Sequence, residues 1–324
     1  MAAESFTMRD GERTIRFGEG VAAEAPDLLR QGGFGDFVLL TTERAAGSVA
    51  LEPSSRVDVP AGLVDELSAT LLPEAGDRPL VALGGGRVID TAKAIAGVTG
   101  APVAAIPTTL SGAELTPFHR LPAGVAGARM VRPSLVIADP LLMASQPEPE
   151  LWASAMNAVA HGMEALYTPL ANPVAETVAL RGAAAIFAED VALGAFLCGW
   201  ASGMTGFAVH HATCQNLVRT AGSPHAQTNA VMLPHFAGMM SGRVPGVMGE
   251  LARALGDPDG NPDTAAGRAA KLSARSGHTR LATLGVEEEH LPRVAAAVME
   301  HPALANTPDP PSEDELLELL RNAL

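Results

Sequence analysis

The sequence predicts an N-terminal α/β domain over residues 1–148, followed by an all-helical domain over residues 149–324. Two patterns predict this division: short apolar runs alternate with helical patterns over about the first 140 residues, and an almost wholly helical pattern runs from Glu150 to about Met240. The length of 324 residues agrees with two domains, because a domain takes roughly 150 residues.

Four apolar runs are the strand candidates of the first domain, at residues 37–41, 80–83, 103–106 and 135–138. Between them, apolar residues at i, i+3 and i+4 predict helices over residues 63–72 and 88–98. In the second domain, residues 256–264 and 303–311 have loop composition. The capping box from Ser312 to Glu315 then begins a terminal helix.

Charge and hydropathy exclude several classes of protein. The chain has 22 basic and 36 acidic residues, a net charge of -14, so there is no basic excess to bind nucleic acid. Gly or Pro breaks every long apolar run well short of the roughly 18 residues that a membrane span needs. The chain opens without an apolar signal segment, and Cys198 and Cys214 form no CxxC pair. We therefore expect a cytoplasmic protein without a membrane or nucleic-acid partner.

A glycine triplet, Gly84, Gly85 and Gly86, follows the second strand candidate and leads into a helix that carries Arg87 and Asp90. Glycines there let the backbone approach a diphosphate, and the helix N-terminus offers free N–H groups and a positive dipole end. The motif is neither GxGxxG nor a Walker loop, and a plain tight turn is the alternative interpretation.

The next strand candidate ends in a loop rich in hydroxyl groups, in which Thr108 and Thr109 precede Leu110. Two such loops at the carboxyl ends of strands in one α/β layer mark the edge of the sheet where nucleotides bind. The sequence therefore predicts a nucleotide site formed by both loops, with Thr41 at the end of the first strand candidate beside them.

Histidines are concentrated in the helical domain. Asn157 and His161 are four residues apart and share one helix face. His211 lies on another predicted helix, directly after His210, and His225 opens a further one. These groups could converge on a metal ion or on a substrate carbonyl. The remaining histidines are interpreted as ordinary core or surface residues: His119, His235, His278, His290 and His301.

In this order the motifs resemble the iron-containing alcohol dehydrogenase superfamily, and within it the maleylacetate reductase branch. The resemblance rests on GGGxxxDxAK from Gly84, PTTxxGxExT from Pro107, the Asn157 to His161 helix, and His211 with His225 fourteen residues later. It extends from about Phe17 to the C-terminus. It implies a dehydroquinate synthase-like fold, with an N-terminal dinucleotide-binding domain and an all-α catalytic domain.

The resemblance also implies a ligand set. Metal-dependent members hold their ion with an Asp and three His, and the matching positions here are Asn157, His161, His211 and His225. A neutral amide replaces the carboxylate, which leaves the charge of a dication uncompensated. Maleylacetate reductases are similar in having Asn at this position and in working without a metal. We therefore expect no tightly bound metal ion.

As activity, the resemblance implies hydride transfer from NADH or NADPH to a small unsaturated oxo-acid or enone. The diphosphate would lie over the glycine triplet, and the inner phosphates and ribose near Thr108 and Thr109. The cleft histidines would donate hydrogen bonds, with His211 as the preferred proton donor. Glu43 would repel the 2′-phosphate of NADPH, whereas Arg44 could bind it, so the sequence leaves the choice of dinucleotide open.

Several positions depart from the family pattern. Arg87 stands where Ser is common, Gln215 stands where a further histidine is usual, and Val218-Arg219 replace a Gly-Gly pair. Redox-neutral lyase, dehydratase or cyclase chemistry at the histidines is therefore the alternative function, and a silent scaffold is a third that the retained histidines disfavour.

The chain is also short for the family. Little separates Thr42 from Val57, where a helix and a strand are expected, and the link from Ile186 to Val191 is trimmed. Loss of an edge element would leave a sheet edge that a second copy could cover. We expect a homodimer.

Overall fold

The computed structural model describes residues 5–324. The chain divides into two compact units, of which the first ends at Gln146 and the second comprises Pro147–Leu324. This division lies within two residues of the predicted boundary. The first unit holds a seven-stranded sheet with helices, and the second is built from helices alone among its regular elements, so the predicted fold class is confirmed.

The strands of the first unit are β1 (Phe6–Asp10), β2 (Arg13–Phe17), β3 (Val38–Thr41), β4 (Ser55–Asp58), β5 (Leu80–Gly84), β6 (Val103–Pro107) and β7 (Leu135–Ala138). Its α-helices are α1 (Ala25–Gln31), α2 (Val64–Ala75), α3 (Gly86–Thr99) and α4 (Pro140–Met143). The second unit contains α5 (Glu148–Ala165), α6 (Pro173–Phe187), α7 (Val191–Thr205), α8 (Val209–Ala221), α9 (His225–Arg243), α10 (Pro245–Ala254), α11 (Thr264–Ser273), α12 (Leu291–Met299) and α13 (Glu313–Ala323).

The sheet has the order β1-β2-β7-β6-β5-β3-β4, and every pair is parallel except β1 with β2. All residues of β3, β5, β6 and β7 are buried. Such strands are covered on both faces and therefore appear in a sequence as continuous apolar runs. The carboxyl ends of β5 and β6 are adjacent, because Gly84 pairs with Pro107.

All four strand predictions and both helix predictions in the first unit are confirmed. Three strands are missing from the prediction, β1, β2 and β4. β1 has no buried residue, and β2 and β4 mix buried residues with partly or fully exposed ones. Many of the exposed or partly exposed residues are charged, so no apolar run marks these strands. The expectation that an edge element is lost is wrong for the strand and right for the helix. β4 is present at the edge, and what the segment between β3 and β4 lacks is the helix.

In the second unit, α6 and α7 approach each other closely through glycines. A Cβ added to Gly194 would lie 2.6 Å from the carbonyl oxygen of Gly182, so any larger residue would force the two helices apart. The link between them is short, as predicted, and turns through Glu189 at φ 67°. Within residues 5–324, no single helix has the length and hydropathy to cross a bilayer. The helices α7 and α8 meet that criterion only when taken together, and the chain bends by 101° between them.

The loops of the second unit partly follow the prediction. The loop predicted over residues 256–264 lies between α10 and α11, except that Thr264 already begins α11. Both hydrogen bonds of the capping box at Ser312 and Glu315 are present. The loop predicted over residues 303–311 is wrong in its first part, because Pro302–Asn306 form a 3-10 helix. The side chain of His301 caps this helix by accepting from the Ala303 N–H, a local contact that the sequence pattern did not indicate.

Candidate functional site

The glycine triplet lies where β5 passes into α3. Gly84 ends the strand, Gly85 precedes the helix, and Gly86 begins it. None of the three has a positive φ, so glycine is needed here for space. A Cβ on Gly85 would lie 2.8 Å from Cγ2 of Thr109, and one on Gly86 would lie 3.0 Å from Cβ of Ser111. The absence of side chains thus lets the loop after β6 pack directly on the start of α3.

Polar groups without partners converge at this junction. The hydroxyl oxygens of Thr108 and Thr109 are buried and have no hydrogen-bond partner among residues 5–324. Helix α3 begins without a capping side chain and without an acidic residue in its first turn. The N–H groups of Val88 and Ile89 bond the Gly85 carbonyl, and the helix N–H groups before them have no capping side chain, so they suit an external acceptor. Buried polar atoms ordinarily have partners. Hydroxyls and amide donors together suit the ribose and phosphate groups of a nucleotide.

The other predicted cofactor residues have different surroundings. Arg87 is exposed on the first turn of α3. The Thr41 hydroxyl donates to the carbonyl of Leu83 at 2.8 Å, so it bridges β3 and β5 within the sheet. Leu110 is fully buried and presents no side-chain polar group. Thr41 and Leu110 therefore support the loops rather than offer a side-chain donor to a ligand.

A buried charge cluster fixes the loop after β6 to α3. The Lys93 ammonium donates to Asp90 at 2.8 Å and to the carbonyls of Ala113 and Phe118 at 2.9 and 2.8 Å. Burial lowers the pKa of Lys93, and the charge of Asp90 opposes this. Beside them, both carboxyl oxygens of Glu114 are buried without a hydrogen-bond partner. Burial raises the pKa of Glu114 to about 7.

In the second unit, one face of α5 carries Asn157, His161 and Glu164 at spacings of four and three residues. Asn157 is buried, and its Oδ1 has no hydrogen-bond partner among the described residues. The Nδ1 of His161 lies 3.1 Å from the hydroxyl of Ser202 on α7. The predicted pair on one helix face is therefore present, with a third polar residue one turn further along.

Two predicted histidines stack at this face, and the charge of a third affects both. The imidazoles of His161 and His211 stack with centroids 4.0 Å apart and planes 20° apart. His211 Nδ1 lies 2.5 Å from Oε2 of Glu164, whereas its Nε2 is buried and has no hydrogen-bond partner in residues 5–324. His225, exposed at the start of α9, is close enough for its charge to affect both rings.

These surroundings disfavour the charged imidazoles. Burial, followed by the charges of His211 and His225, lowers the pKa of His161 well below its usual value. Burial, followed by the charge of His225, lowers the pKa of His211 to about 3. Without a ligand, both rings are therefore neutral near pH 7, and each has one donor and one acceptor nitrogen.

Glu164 is the residue of this site that the prediction missed. Its Oε1 accepts from the N–H groups of His210 at 2.8 Å and His211 at 3.3 Å, in the first turn of α8. Because Ala208 at the N-cap offers no side-chain acceptor, Glu164 supplies the cap from another helix. Burial raises the pKa of Glu164, and His210 and the amide donors oppose this rise. The available signal was a lone carboxylate, seven residues after Asn157, in an otherwise apolar stretch.

Glu164, His210 and His211 also have ligand atoms within 4.8 Å of one another. The 2.5 Å from Glu164 Oε2 to His211 Nδ1 is, however, a hydrogen-bond distance, whereas two ligands of a tetrahedral ion lie about 3.3 Å apart. The Nε2 of His210 faces the thiol of Cys214 at 3.8 Å. Burial, followed by His211, lowers the pKa of His210 to about 3. These residues therefore form a hydrogen-bonded cluster.

The other candidates have plainer surroundings. Gln215 is half-buried on α8, one turn after His211. His119 Nε2 accepts from the N–H of Val131, a local structural contact. His290 likewise accepts from a nearby amide. These contacts agree with the structural interpretation of the histidines outside the site.

Comparison with known proteins identifies the family. The sequence-family model described as Fe-containing alcohol dehydrogenase family, C-terminal, matches residues 152–324. The family model described as iron-containing alcohol dehydrogenase matches residues 16–116. The maleylacetate reductase of Pseudomonas knackmussii is 32% identical over 95% of this chain and 95% of its own. Maleylacetate reductase 1 of Rhodococcus opacus is 37% identical over 69% of this chain and 67% of its own.

A solved structure agrees with these relatives. The maleylacetate reductase from Agrobacterium tumefaciens superposes with a TM-score of 0.83 at 28% identity, over 99% of this chain and 98% of that chain. The match to the C-terminal family model alone covers more than half of the sequence. The chain therefore belongs to the iron-containing alcohol dehydrogenase family, on its maleylacetate reductase-like branch, and is an NAD(P)H-dependent oxidoreductase.

Proposed function

We propose that this protein reduces a small unsaturated oxo-acid by hydride transfer from NADH or NADPH, without a tightly bound metal ion. The observation that carries the proposal is the pair of buried, unpartnered atoms in the second unit, His211 Nε2 and Asn157 Oδ1. Such atoms point to a polar ligand, and Nε2 would donate to a substrate oxygen once it has taken up a proton. Maleylacetate, the substrate named for the relatives, is the first compound to test.

The dinucleotide would bind at the junction of β5 and α3. Its diphosphate would accept from the amides at the start of α3, which the glycine triplet leaves open to close approach. The unpartnered hydroxyls of Thr108 and Thr109 would bond the ribose and the inner phosphate. Exposed Arg87 could add a charge-assisted hydrogen bond to a phosphate oxygen.

The reduction needs a proton as well as a hydride. Hydride addition to a carbon–carbon double bond conjugated with an oxo group places negative charge on the carbonyl oxygen. We assign the proton to Nε2 of His211, with hydrogen bonds from His161 and His225 stabilising the charge as it develops. Bound NAD(P)H would supply the hydride that reduces the double bond. Nε2 of His211 would take its proton from water when the anionic substrate binds and pass it to the substrate.

The donor set at this site fits a divalent ion poorly. Asn157 offers a neutral amide oxygen, and burial holds His161 and His211 in their neutral forms. Hard dications prefer at least one carboxylate, which compensates their charge. This chemistry supports the proposal that the reaction proceeds without a tightly bound metal.

Replacing Asn157 with aspartate is expected to create a metal site. The carboxylate would supply the missing negative charge, so the affinity for Zn²⁺ or Fe²⁺ should rise by roughly tenfold or more. The measurement is calorimetric titration of chelator-treated protein, with elemental analysis of bound metal. Asn172→Asp is the control, because Asn172 is an exposed N-cap that aspartate replaces well. A wild-type protein that needs stoichiometric metal for turnover would contradict metal independence.

For the cofactor site, we expect wild-type protein to bind NADH or NADPH in the micromolar to millimolar range. Gly85→Ala should weaken binding by about tenfold or more, because the new Cβ would lie 2.8 Å from Thr109 and displace it. Nicotinamide fluorescence measures the affinity, and loss of NADH absorbance with maleylacetate measures turnover. Gly246→Ala is the matched control, since its Cβ would meet nothing within 4 Å. A folded wild type that binds neither dinucleotide would contradict the proposal and favour redox-neutral acid–base chemistry.

A further inference from the structure

We infer that Glu164 is a positioning residue that fixes His211 in the tautomer with its proton on Nδ1, so that Nε2 is the nitrogen that exchanges a proton with substrate. This inference rests on the proposed reduction and adds the identity of the proton-carrying nitrogen. It is carried by the contacts of Glu164, which join α5 to the first turn of α8.

The hydrogen bonds of Glu164 determine where the shared proton resides. Its Oε1 faces two backbone N–H groups, of His210 and His211, which can only donate. These donors lie at the N-terminus of α8, where the helix dipole favours an anion. Both features favour the ionised carboxylate, and an ionised carboxylate can only accept. We therefore place the hydrogen of the 2.5 Å contact on Nδ1 of His211.

The neighbours of His211 hold the ring in this orientation. His161 stacks on it at 4.0 Å, and Phe207 lies 5.9 Å away at a tilt of 55°. Turning the ring over would remove Nδ1 from Glu164 and leave a buried carboxylate without its imidazole partner, which is costly. Nε2 is thus left as the ring nitrogen available to a ligand, and it is the one without a hydrogen-bond partner.

His161 differs from His211 in the group that contacts its Nδ1. The hydroxyl of Ser202, at 3.1 Å, can donate or accept, so it fixes neither tautomer. A hydroxyl also carries no charge to compensate an imidazolium, whereas a carboxylate does. This difference assigns proton transfer to His211 and hydrogen bonding to His161. When an anionic substrate binds, Nε2 takes a proton from water, and the Glu164 carboxylate stabilises the imidazolium that results. In the transfer this N–H bond at Nε2 breaks as the proton joins the substrate. The Nδ1–H bond remains intact, Glu164 stays unprotonated, and His211 returns to its neutral tautomer.

The first test reads the tautomer directly, in protein without substrate. ¹⁵N NMR of histidine-labelled wild type should show Nδ1 of His211 as the protonated nitrogen and Nε2 as the unprotonated one, with the signals assigned by their loss in His211→Asn. In Glu164→Gln the pattern should reverse, because the amide oxygen must take the place of Oε1 opposite two N–H donors and its NH₂ group then faces Nδ1. A wild-type His211 protonated on Nε2 would overturn the inference, even if the variant does not fold.

The second test separates positioning from general stability. Glu164→Gln should lower kcat for maleylacetate reduction by roughly 10²- to 10⁴-fold, with KM changed by less than about threefold. Thr213→Val is the control, because it removes a buried hydrogen bond from the same helix without touching the site. It should retain both the tautomer and kcat.

Two further outcomes are decisive. An unchanged tautomer and kcat in Glu164→Gln would overturn the positioning role. A wild type with the expected tautomer that reduces no unsaturated oxo-acid would overturn the proposed function and support the role of Glu164 in holding His211.

Discussion

Replacing His211 with asparagine is expected to lower kcat by roughly 10²- to 10⁴-fold, the range for loss of a general acid. Asparagine can place its amide N–H near the position of Nδ1 and so keep the hydrogen bond to Glu164. It has no group at the position of Nε2, the atom that is buried and unpartnered in the site. The substitution therefore removes the proposed proton donor while retaining the contact that holds α5 to α8.

Steady-state kinetics with maleylacetate and NADH would measure this effect, and circular dichroism would confirm folding. His235→Asn is the control, because His235 also lies on a helix of the second unit, where it is half-buried, but has no place in the site. An equal kcat in His211→Asn and wild type would remove His211 from the reaction. Alanine is a poorer choice at this position. It would leave Glu164 as a buried carboxylate lacking one partner, at a cost of about 1–3 kcal/mol in stability.

The strands that the sequence predicted are those buried on both faces, because burial on both faces requires an apolar run. The strands that it missed have a partly or fully exposed face and therefore no such run. β5 and β6 are apolar throughout and follow each other in the sheet, so their runs stand out. β4 has a single fully buried residue, Val57, among polar neighbours. Its place in the sheet comes from parallel pairing with β3 across a long connection, and such pairing leaves no trace in local composition.

The candidate site was predictable where one helix carries the information. The spacing of Asn157 and His161 places both on one face of α5, and His211, which the motif order also predicted, stacks on His161 from α8. Glu164 could not be assigned in this way, because its function depends on α5 lying against the uncapped start of α8. The same holds for Gly85, whose steric role requires knowing that Thr109 packs against it.

A second large effect is expected from Glu114, through the pH dependence of stability. Glu114 lies in the loop after β6, with both carboxyl oxygens buried and without hydrogen-bond partners. Burial raises the pKa to about 7, and it outweighs the opposing effects of the backbone amide of Glu114 and of the charge of Lys93. The folded protein therefore holds this proton more tightly than the unfolded chain, in which the pKa is near 4.5.

The sign of the effect follows from proton linkage. Below about pH 4.5 the group is protonated in both states, and its stabilising contribution is complete. As the pH rises through about 7, the unfolded chain has already released the proton and the folded protein must bury a charge. The free energy of unfolding should therefore fall by roughly 3 kcal/mol between these limits on account of Glu114 alone.

Urea unfolding of wild type and Glu114→Gln at about pH 5 and about pH 8.5 measures this contribution. Because the histidine titrations are common to both proteins, the difference between their unfolding free energies isolates Glu114. That difference should shift by roughly 2–3 kcal/mol in favour of the variant at the higher pH, whatever constant cost the buried amide adds. Glu318→Gln lies at an exposed position of α13. Its unfolding free energy should change between the two pH values by the same amount as that of wild type. If the unfolding free energy of Glu114→Gln also changes by that amount, Glu114 ionises in the folded protein as it does in the unfolded chain. A polar partner must then reach its carboxylate in solution.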